Sequence, residues 1–455
     1  MPERIGIVKQ LRAYFSQLIR FISYNPPYLS EEPPVDRRSM ETKEFIQRQQ
    51  LVSRAFRPAA PVDDEALFAG RTTQMVRLLD VVEQPGQHAA VYGGRGVGKT
   101  SLAKVMVKVL TGAKSTTIAL HYTCSATDTF SSVWQSVFDD LLITMRTPAF
   151  GFSGQATNVD VPSSEILALT SPVSPDSVRR GLFMLGQAAP LAIFIDEFDR
   201  LPEAEKVGFA DTTKVLSDQL VPATVALIGV ADDIDGLIAA HESVRRSLGQ
   251  IFMPNMSEPE LAEIIEKGSV ACNMTVDPAF TNRVVSLAQG LPNYVHLIAQ
   301  NACRVALDAS RTEVRSSDLD AAIGRSIESV QQSVLDTYHR ATSSNRETLY
   351  KQVLLACALA RRDEKGTFGA ADVRDELQRV TGTFRDLPAF AQHLNDFSGN
   401  GRRGGVLDRI GTTYRYRYRF RDPLLQPYIL MRGQIDHLLP TDLTEDSTSA
   451  TEPLF

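Results

Sequence analysis

The sequence predicts an α/β fold, a parallel sheet built around a phosphate-binding loop, and three stretches predict it. The first is Gly93-Gly94-Arg95-Gly96-Val97-Gly98-Lys99-Thr100-Ser101, which fits the pattern G-x-x-x-x-G-K-S/T. The apolar run Ala89–Tyr92 before it reads as a buried strand, and Leu102–Val107 after it as the start of a helix. The second is Leu191-Ala192-Ile193-Phe194-Ile195-Asp196-Glu197, an apolar run of the kind buried on both faces of a parallel sheet. Its two carboxylates stand at the C-terminal end, where open α/β sheets bind ligands. The third, Val225–Val230, is a further apolar strand that ends in Ala231-Asp232-Asp233.

The residue types indicate the chemistry. Glycines let successive backbone N–H groups turn inward, and the helix N-terminus adds partial positive charge, so Gly93 to Ser101 form an anion cradle. Lys99 is expected to reach the β- and γ-phosphates of ATP, and the Thr100 hydroxyl to ligate Mg²⁺. Asp196 is the second candidate for the metal, through its hydration shell, and Glu197 the candidate for polarising an attacking water. Asp232 either bonds near the γ-phosphate or caps the helix that follows. Arg245 and Arg246, in Glu242-Ser243-Val244-Arg245-Arg246-Ser247-Leu248, either complete a neighbouring subunit's site or form surface salt bridges.

A chain of 455 residues exceeds one ordinary core and predicts two or three domains. With 48 Lys and Arg against 54 Asp and Glu, the net charge of −6 excludes a wholesale nucleic-acid coat and leaves room only for local basic faces. No apolar run is long enough to span a bilayer, so a membrane partner is not expected. Cys124, Cys272, Cys303 and Cys357 lack metal-ligand spacing, and no secretory leader is evident. They read as reduced core thiols of a cytoplasmic protein, with no zinc site.

In chain order, residues 1–55 hold a basic amphipathic helix, Ile5–Ile22, and a proline-rich linker around Asn25-Pro26-Pro27 and Glu31-Glu32-Pro33-Pro34. The helix either docks on the body or a neighbouring subunit, or anchors at a membrane surface. Residues 56–255 form the sheet domain. Within it Ala66–Arg71 turns into a helix over Thr73–Val82, a segment that commonly lies against adenine. Strand Ser115–Cys124 and a helix over Phe130–Leu142 follow, and Thr147–Ser177, rich in Pro, Ser, Gly and Thr, reads as an insertion or loop. Residues 256–330 read as a lid of helices over Glu258–Val270, Pro278–Ala288, Asn293–Leu307 and Asp318–Ile327, the first opened by a Ser257/Glu260 capping box.

The phosphate loop, the strand-borne Asp196-Glu197, the polar tip at Asp232 and the Arg245-Arg246 segment occur in the order found in AAA+ ATPases. With Phe68-Ala69-Gly70-Arg71 and Asp196-Glu197-Phe198-Asp199-Arg200-Leu201, the region from Phe56 to Leu430 resembles the origin-recognition and replication-initiator clade, in particular its bacterial relatives. The resemblance implies a P-loop NTPase core, a helical lid and a C-terminal winged-helix domain. Two positions depart from the clade. Asp232 stands where Asn is usual, and the lid carries Gly290-Leu291-Pro292-Asn293-Tyr294-Val295-His296 in place of an early arginine. The Gly-x-Pro element is similar to that of STAND signalling NTPases, in which the proline and a nearby histidine read the nucleotide state, and this resemblance implies a nucleotide contact at Pro292 and slow hydrolysis.

Residues 331–439 read as helices over Thr348–Ala360, Ala371–Val380 and Leu387–Phe397, then strands Gly405–Ile410 and Thr413–Phe420, the order of a winged helix. The last strand alternates Tyr414, Tyr416, Tyr418 and Phe420 with Arg415, Arg417 and Arg419, and Arg402 and Arg403 lie nearby. This basic wing is the candidate DNA contact, by phosphate neutralisation. The third helix, with Asp386 and Asp396 against only Gln392, His393 and Asn395, is a poor base reader, and protein contact inside an oligomer is the other reading. Residues 440–455 read as a disordered acidic tail. Three functions follow. The first is an ATPase whose nucleotide state and a neighbour's arginine set an assembly that grips DNA, and the second a STAND-like switch in defence or stress signalling whose winged helix contacts protein. A transposition or partner-loading regulator with a protein client is the third.

Overall fold

The computed structural model describes residues 42–112, 116–147, 157–167, 172–238, 242–343, 349–363, 366–412 and 415–439. The chain divides into a unit of Met1–Glu44 and a unit of Phe45–Phe455. The expected helix Ile5–Ile22, the proline-rich linker and the acidic tail lie outside the described residues. Everything below concerns the second unit. Its core is engaged before Phe56, because the helix Thr42–Ala55 buries Val52 and Ala55.

The main sheet holds β1 (His88–Gly93), β2 (Ile118–Thr123), β5 (Leu191–Asp196), β6 (Ala223–Val230) and β7 (Leu248–Met253), all parallel in the order β2-β5-β6-β1-β7. Burial follows that order. All six residues of β5 are buried and seven of the eight of β6, whereas the edge strand β2 begins and ends exposed. Continuous apolar runs are what two-sided coverage by helices requires. Against one face, helices Phe130–Asp140 and Glu203–Asp218 bring together Phe130, Trp134, Phe138 and Phe209, with ring centroids 5.0–6.4 Å apart. Truncating one such buried ring typically costs about 3–5 kcal/mol.

The stretch after Leu141 is more regular than its composition suggests. β3 (Leu142–Thr147) and β4 (Thr157–Pro162) form an antiparallel hairpin, and Ser174 caps a helix at Pro175–Gly186. The predicted helix therefore stops at Asp140, where Leu141 and Leu142 turn into the hairpin.

The lid consists of helices Glu258–Ala271, Pro278–Ala288, Pro292–Asp308 and Leu319–Glu328, tied by the short parallel pair β8 (Thr275–Val276) and β9 (Glu313–Val314). The Glu260 half of the expected capping box is made: its Oε2 accepts from Ser257 N at 2.8 Å. After the helix Gln332–Thr342, the C-terminal region runs helix Tyr350–Leu359, β10 (Phe368–Gly369), helices Ala370–Thr381 and Leu387–Ser398, β11 (Leu407–Ile410) and β12 (Arg417–Phe420). The three strands pair antiparallel in the order β10-β12-β11. A final helix, Leu425–Ile435, is buried on nearly every side and packs between lid and C-terminal helices. Among the described residues no helix is long and apolar enough to cross a membrane, and all four cysteines are buried free thiols.

Candidate nucleotide site

β1 delivers the chain into the phosphate loop at the C-terminal edge of the sheet. Gly93 has φ +154°, and a Cβ there would lie 2.3 Å from the Met253 carbonyl oxygen of β7, so only glycine fits. Gly98 (φ 95°) precedes the helix Lys99–Thr111. Lys99 is buried, and its Nζ donates to the carbonyls of Gly93 at 3.0 Å and Gly94 at 2.7 Å. Burial pulls its ammonium down to about 8, against the opposing influence of Asp199, Asp196 and Glu197.

Since β6 lies between β1 and β5, the carboxylates of β5 stand one strand away from the loop, on the same edge. Asp196 is 2 % exposed. Its Oδ1 accepts from Glu197 N at 2.8 Å, and Oδ2 lies 3.2 Å from His121 Nε2 on β2. Burial pushes its carboxyl up, but hydrogen bonds from His121, Thr100 and the Glu197 amide outweigh that and hold it below its ordinary value. Thr100 and Asp196, the two residues expected at the metal, are thus brought together. Glu197 sits in left-handed backbone (φ 51°) with Oε2 held by Arg200 Nη1 at 2.5 Å. Asp199 accepts from Val230 N at 2.8 Å, which ties the turn after β5 to the tip of β6.

Beside the loop lies a cavity of about 310 Å³ that reaches from Gly96–Ser101, Asp196 and Glu197 to an apolar end at Pro58–Val62, Phe68 and Ile264. Pro292, Asn293 and His296 of the lid line it as well. Sequence reasoning left Arg71 without a role. It is 3 % exposed in left-handed backbone (φ 61°). Its Nη2 donates to Val97 O of the loop at 2.8 Å and to Pro254 O at 2.7 Å, and its amide donates to Glu260 Oε1 at 2.9 Å. Burial pulls the guanidinium down, partly offset by Glu260. The signal that could have found it was Gly70-Arg71 opposite a lid capping box, but the two stand far apart in the chain.

The remaining candidates are placed as follows. Asp232 is exposed, and both its oxygens accept from Arg419 Nη1 at 2.9 Å; the helix cap falls instead to Asp233, whose Oδ1 accepts from Gly236 N. Arg245 pairs with Asp235 of its own chain at 2.5 Å, while Arg246 is exposed and makes no ion pair with a described residue. In the C-terminal domain Arg417 bonds Thr367 and Asp363, and Arg403 lies 3.9 Å over the Tyr350 ring and donates to Ala341 O. Arg402 and Arg415 are exposed and make no ion pair with a described residue. On the aromatic side Tyr418 and Phe420 are buried, and Tyr414 lies outside the described residues. The C-terminal region also reaches the phosphate loop: a Cβ on Gly96 would stand 3.3 Å from Leu424 Cδ2, and the Leu424 carbonyl accepts from Tyr294 Oη at 2.5 Å.

Residues 55–395 match the family Novel STAND NTPase 1, about three quarters of the chain. No curated protein matches. Among solved structures, the chain is similar to a Walker-type ATPase of Pyrococcus abyssi (17 % identity, 82 % of this chain and 99 % of that one, TM-score 0.45). It is also similar to the ORC1 protein of Aeropyrum pernix in complex with DNA (15 %, 82 % and 94 %, 0.41) and to the Thermotoga maritima RuvB branch-migration motor (13 %, 75 % and 90 %, 0.39).

Proposed function

We propose, from the premise that this chain belongs to the Novel STAND NTPase 1 family, that it is a cytoplasmic ATP- and Mg²⁺-dependent switch whose C-terminal domain is released from the phosphate loop by a change of nucleotide. One set of contacts carries the reading: Arg419 on Asp232 and Leu424 against Gly96 seat the C-terminal domain over the loop. A domain in that position feels whatever occupies the cradle. The residues present fit the ligand. Lys99 rests on two loop carbonyls that a triphosphate would replace, and Thr100 with Asp196 would hold Mg²⁺, which neutralises phosphate charge when bound. Glu197, once freed from Arg200, orients a water; while the pair persists, turnover is slow.

The test is nucleotide binding and turnover in Lys99→Ala, Glu197→Gln and Arg419→Ala. Lys99→Ala should lose ATP binding, Glu197→Gln should keep binding and lose hydrolysis, and Arg419→Ala should hydrolyse faster than wild type. Undiminished ATPase in the first two removes the site assignment. Unchanged turnover and unchanged protease sensitivity in the third removes the switch.

A second reading, action on DNA, is favoured by exposed Arg402 and Arg415. Release of Arg419 would complete a patch of three arginines for phosphates. Duplex DNA retention that rises with ATP and falls steeply with salt supports it; retention that is the same in the Arg402, Arg415 and Arg419 triple alanine variant counts against it. Protein contact by the same face is the outcome left if DNA is not retained.

A further inference from the structure

We infer that His121, on the edge strand β2, is a positioning residue: by donating a hydrogen bond from Nε2 to Asp196 Oδ2 it holds that carboxylate in the orientation in which it serves Mg²⁺. The inference rests on the reading of Thr100 and Asp196 as the residues of the metal, and deepens it. Oδ2 lies 3.2 Å from Nε2, and the imidazole is only 14 % exposed, so water competes poorly for the contact. A carboxylate accepts hydrogen bonds and donates none, so the proton between the two atoms belongs to Nε2.

The sheet register brings the two side chains together. In the pairing of β2 with β5, Thr123 stands opposite Asp196 and His121 opposite Phe194, so His121 and Asp196 project from one face of the sheet. The helix Lys99–Thr111 packs across both strands, and Thr100 in its first turn bonds the same carboxylate. Together these contacts take up most of what Asp196 can accept. Its two oxygens offer about four lone-pair positions. The Glu197 amide takes one on Oδ1 at 2.8 Å, His121 takes one on Oδ2, and Thr100 takes a third. A carboxylate held at Oδ1 alone can pivot about that bond, whereas one held at both oxygens keeps a single orientation. Bonds that orient a metal-binding side chain in this way typically change metal affinity by about 10–100-fold when they are lost.

The experiment measures ATP affinity by competition against a fluorescent ATP analogue, in EDTA and in Mg²⁺, and takes the gain that the metal brings. Wild type is compared with His121→Gln, whose amide falls near Nε2 and keeps the donor, and with His121→Asn, whose amide falls near Nδ1 and stops short of Asp196. The gain should fall about tenfold in His121→Asn and stay close to wild type in His121→Gln, with affinity in EDTA the same in all three. In an Asp196→Asn background, His121→Asn should cost nothing further, because the histidine acts through that carboxylate. An equal gain in all three proteins, an equal loss in both variants, or a further loss in the Asp196→Asn background overturns the inference. A matching loss of affinity in EDTA overturns it too, since the phosphate loop itself is then disturbed. Wild type that binds ATP no better with Mg²⁺ than without also overturns it and leaves nucleotide binding standing. If wild type binds ATP under neither condition, the nucleotide reading falls and takes the inference with it.

Discussion

Arg71 and His88 show how single buried polar groups hold this fold in shape. Arg71 bridges the phosphate-loop carbonyl of Val97 to that of Pro254 from an almost fully buried position. In Arg71→Ala both acceptors lose a charged donor, and stability should fall by roughly 3 kcal/mol in a urea titration. His88 opens β1 and its Nδ1 accepts from Val225 N of β6 at 3.0 Å, which needs that nitrogen unprotonated. Burial pulls its imidazole from 6.5 to about 4. Between those values the unfolded chain binds more protons than the folded one, so stability is complete above pH 6.5 and declines as pH falls toward 4. The loss is on the order of 3 kcal/mol. Melting temperatures across pH 4–7 should slope less in His88→Gln, and an identical slope would refute the assignment. Neither residue was legible in advance: a histidine in a strand and an arginine after a glycine carry no pattern until their distant partners are known.

The elements themselves were largely legible. Apolar runs predicted β1, β5 and β6, and helical spacing predicted the lid within a residue or two, because each element's burial is written in its own periodicity. The helix Leu425–Ile435 escaped notice for the same reason, since an element buried on nearly every side has no apolar stripe to detect. β10, two residues long, exists only by pairing with β12. Contacts between elements set two expectations. At the tip of β6, a Cβ on Gly229 would come 2.5 Å from Leu237 Cδ1 and 2.7 Å from Asp199 Oδ1. Gly229→Ala should therefore destabilise by about 2 kcal/mol in thermal unfolding and loosen the turn that carries Glu197. The Asp232–Arg419 pair is exposed enough that its strength is about 1 kcal/mol or less. Arg419→Ala should then raise ATP turnover only about fivefold, and the double exchange Asp232→Arg with Arg419→Asp should return it toward wild type. A change of a hundredfold would mean that the pair does more than hold a domain.

For the molecule as a whole, the arginines after β6 allow a test of whether a second copy completes the site. Arg245 is engaged by Asp235 of its own chain, whereas Arg246 is exposed and makes no ion pair with a described residue. Mixing Lys99→Ala chains with Arg246→Ala chains should restore part of the turnover that each lacks alone, by the logic of an arginine supplied in trans. Mixtures with Arg245→Ala should show no such gain, because that variant should be active unmixed. No recovery at any ratio would argue for a site completed within one chain. The sequence by itself determined that a glycine loop joins β1 to a helix and that carboxylates stand at the end of β5, since these features are local: a glycine turn, a helix start and a strand tip need only adjacent residues. Tertiary structure alone decided that Asp232 faces Arg419, that Leu424 lies against Gly96, and that Arg71 spans loop and lid. Each of those contacts joins positions more than 20 residues apart, and no local propensity encodes which distant side chain will arrive.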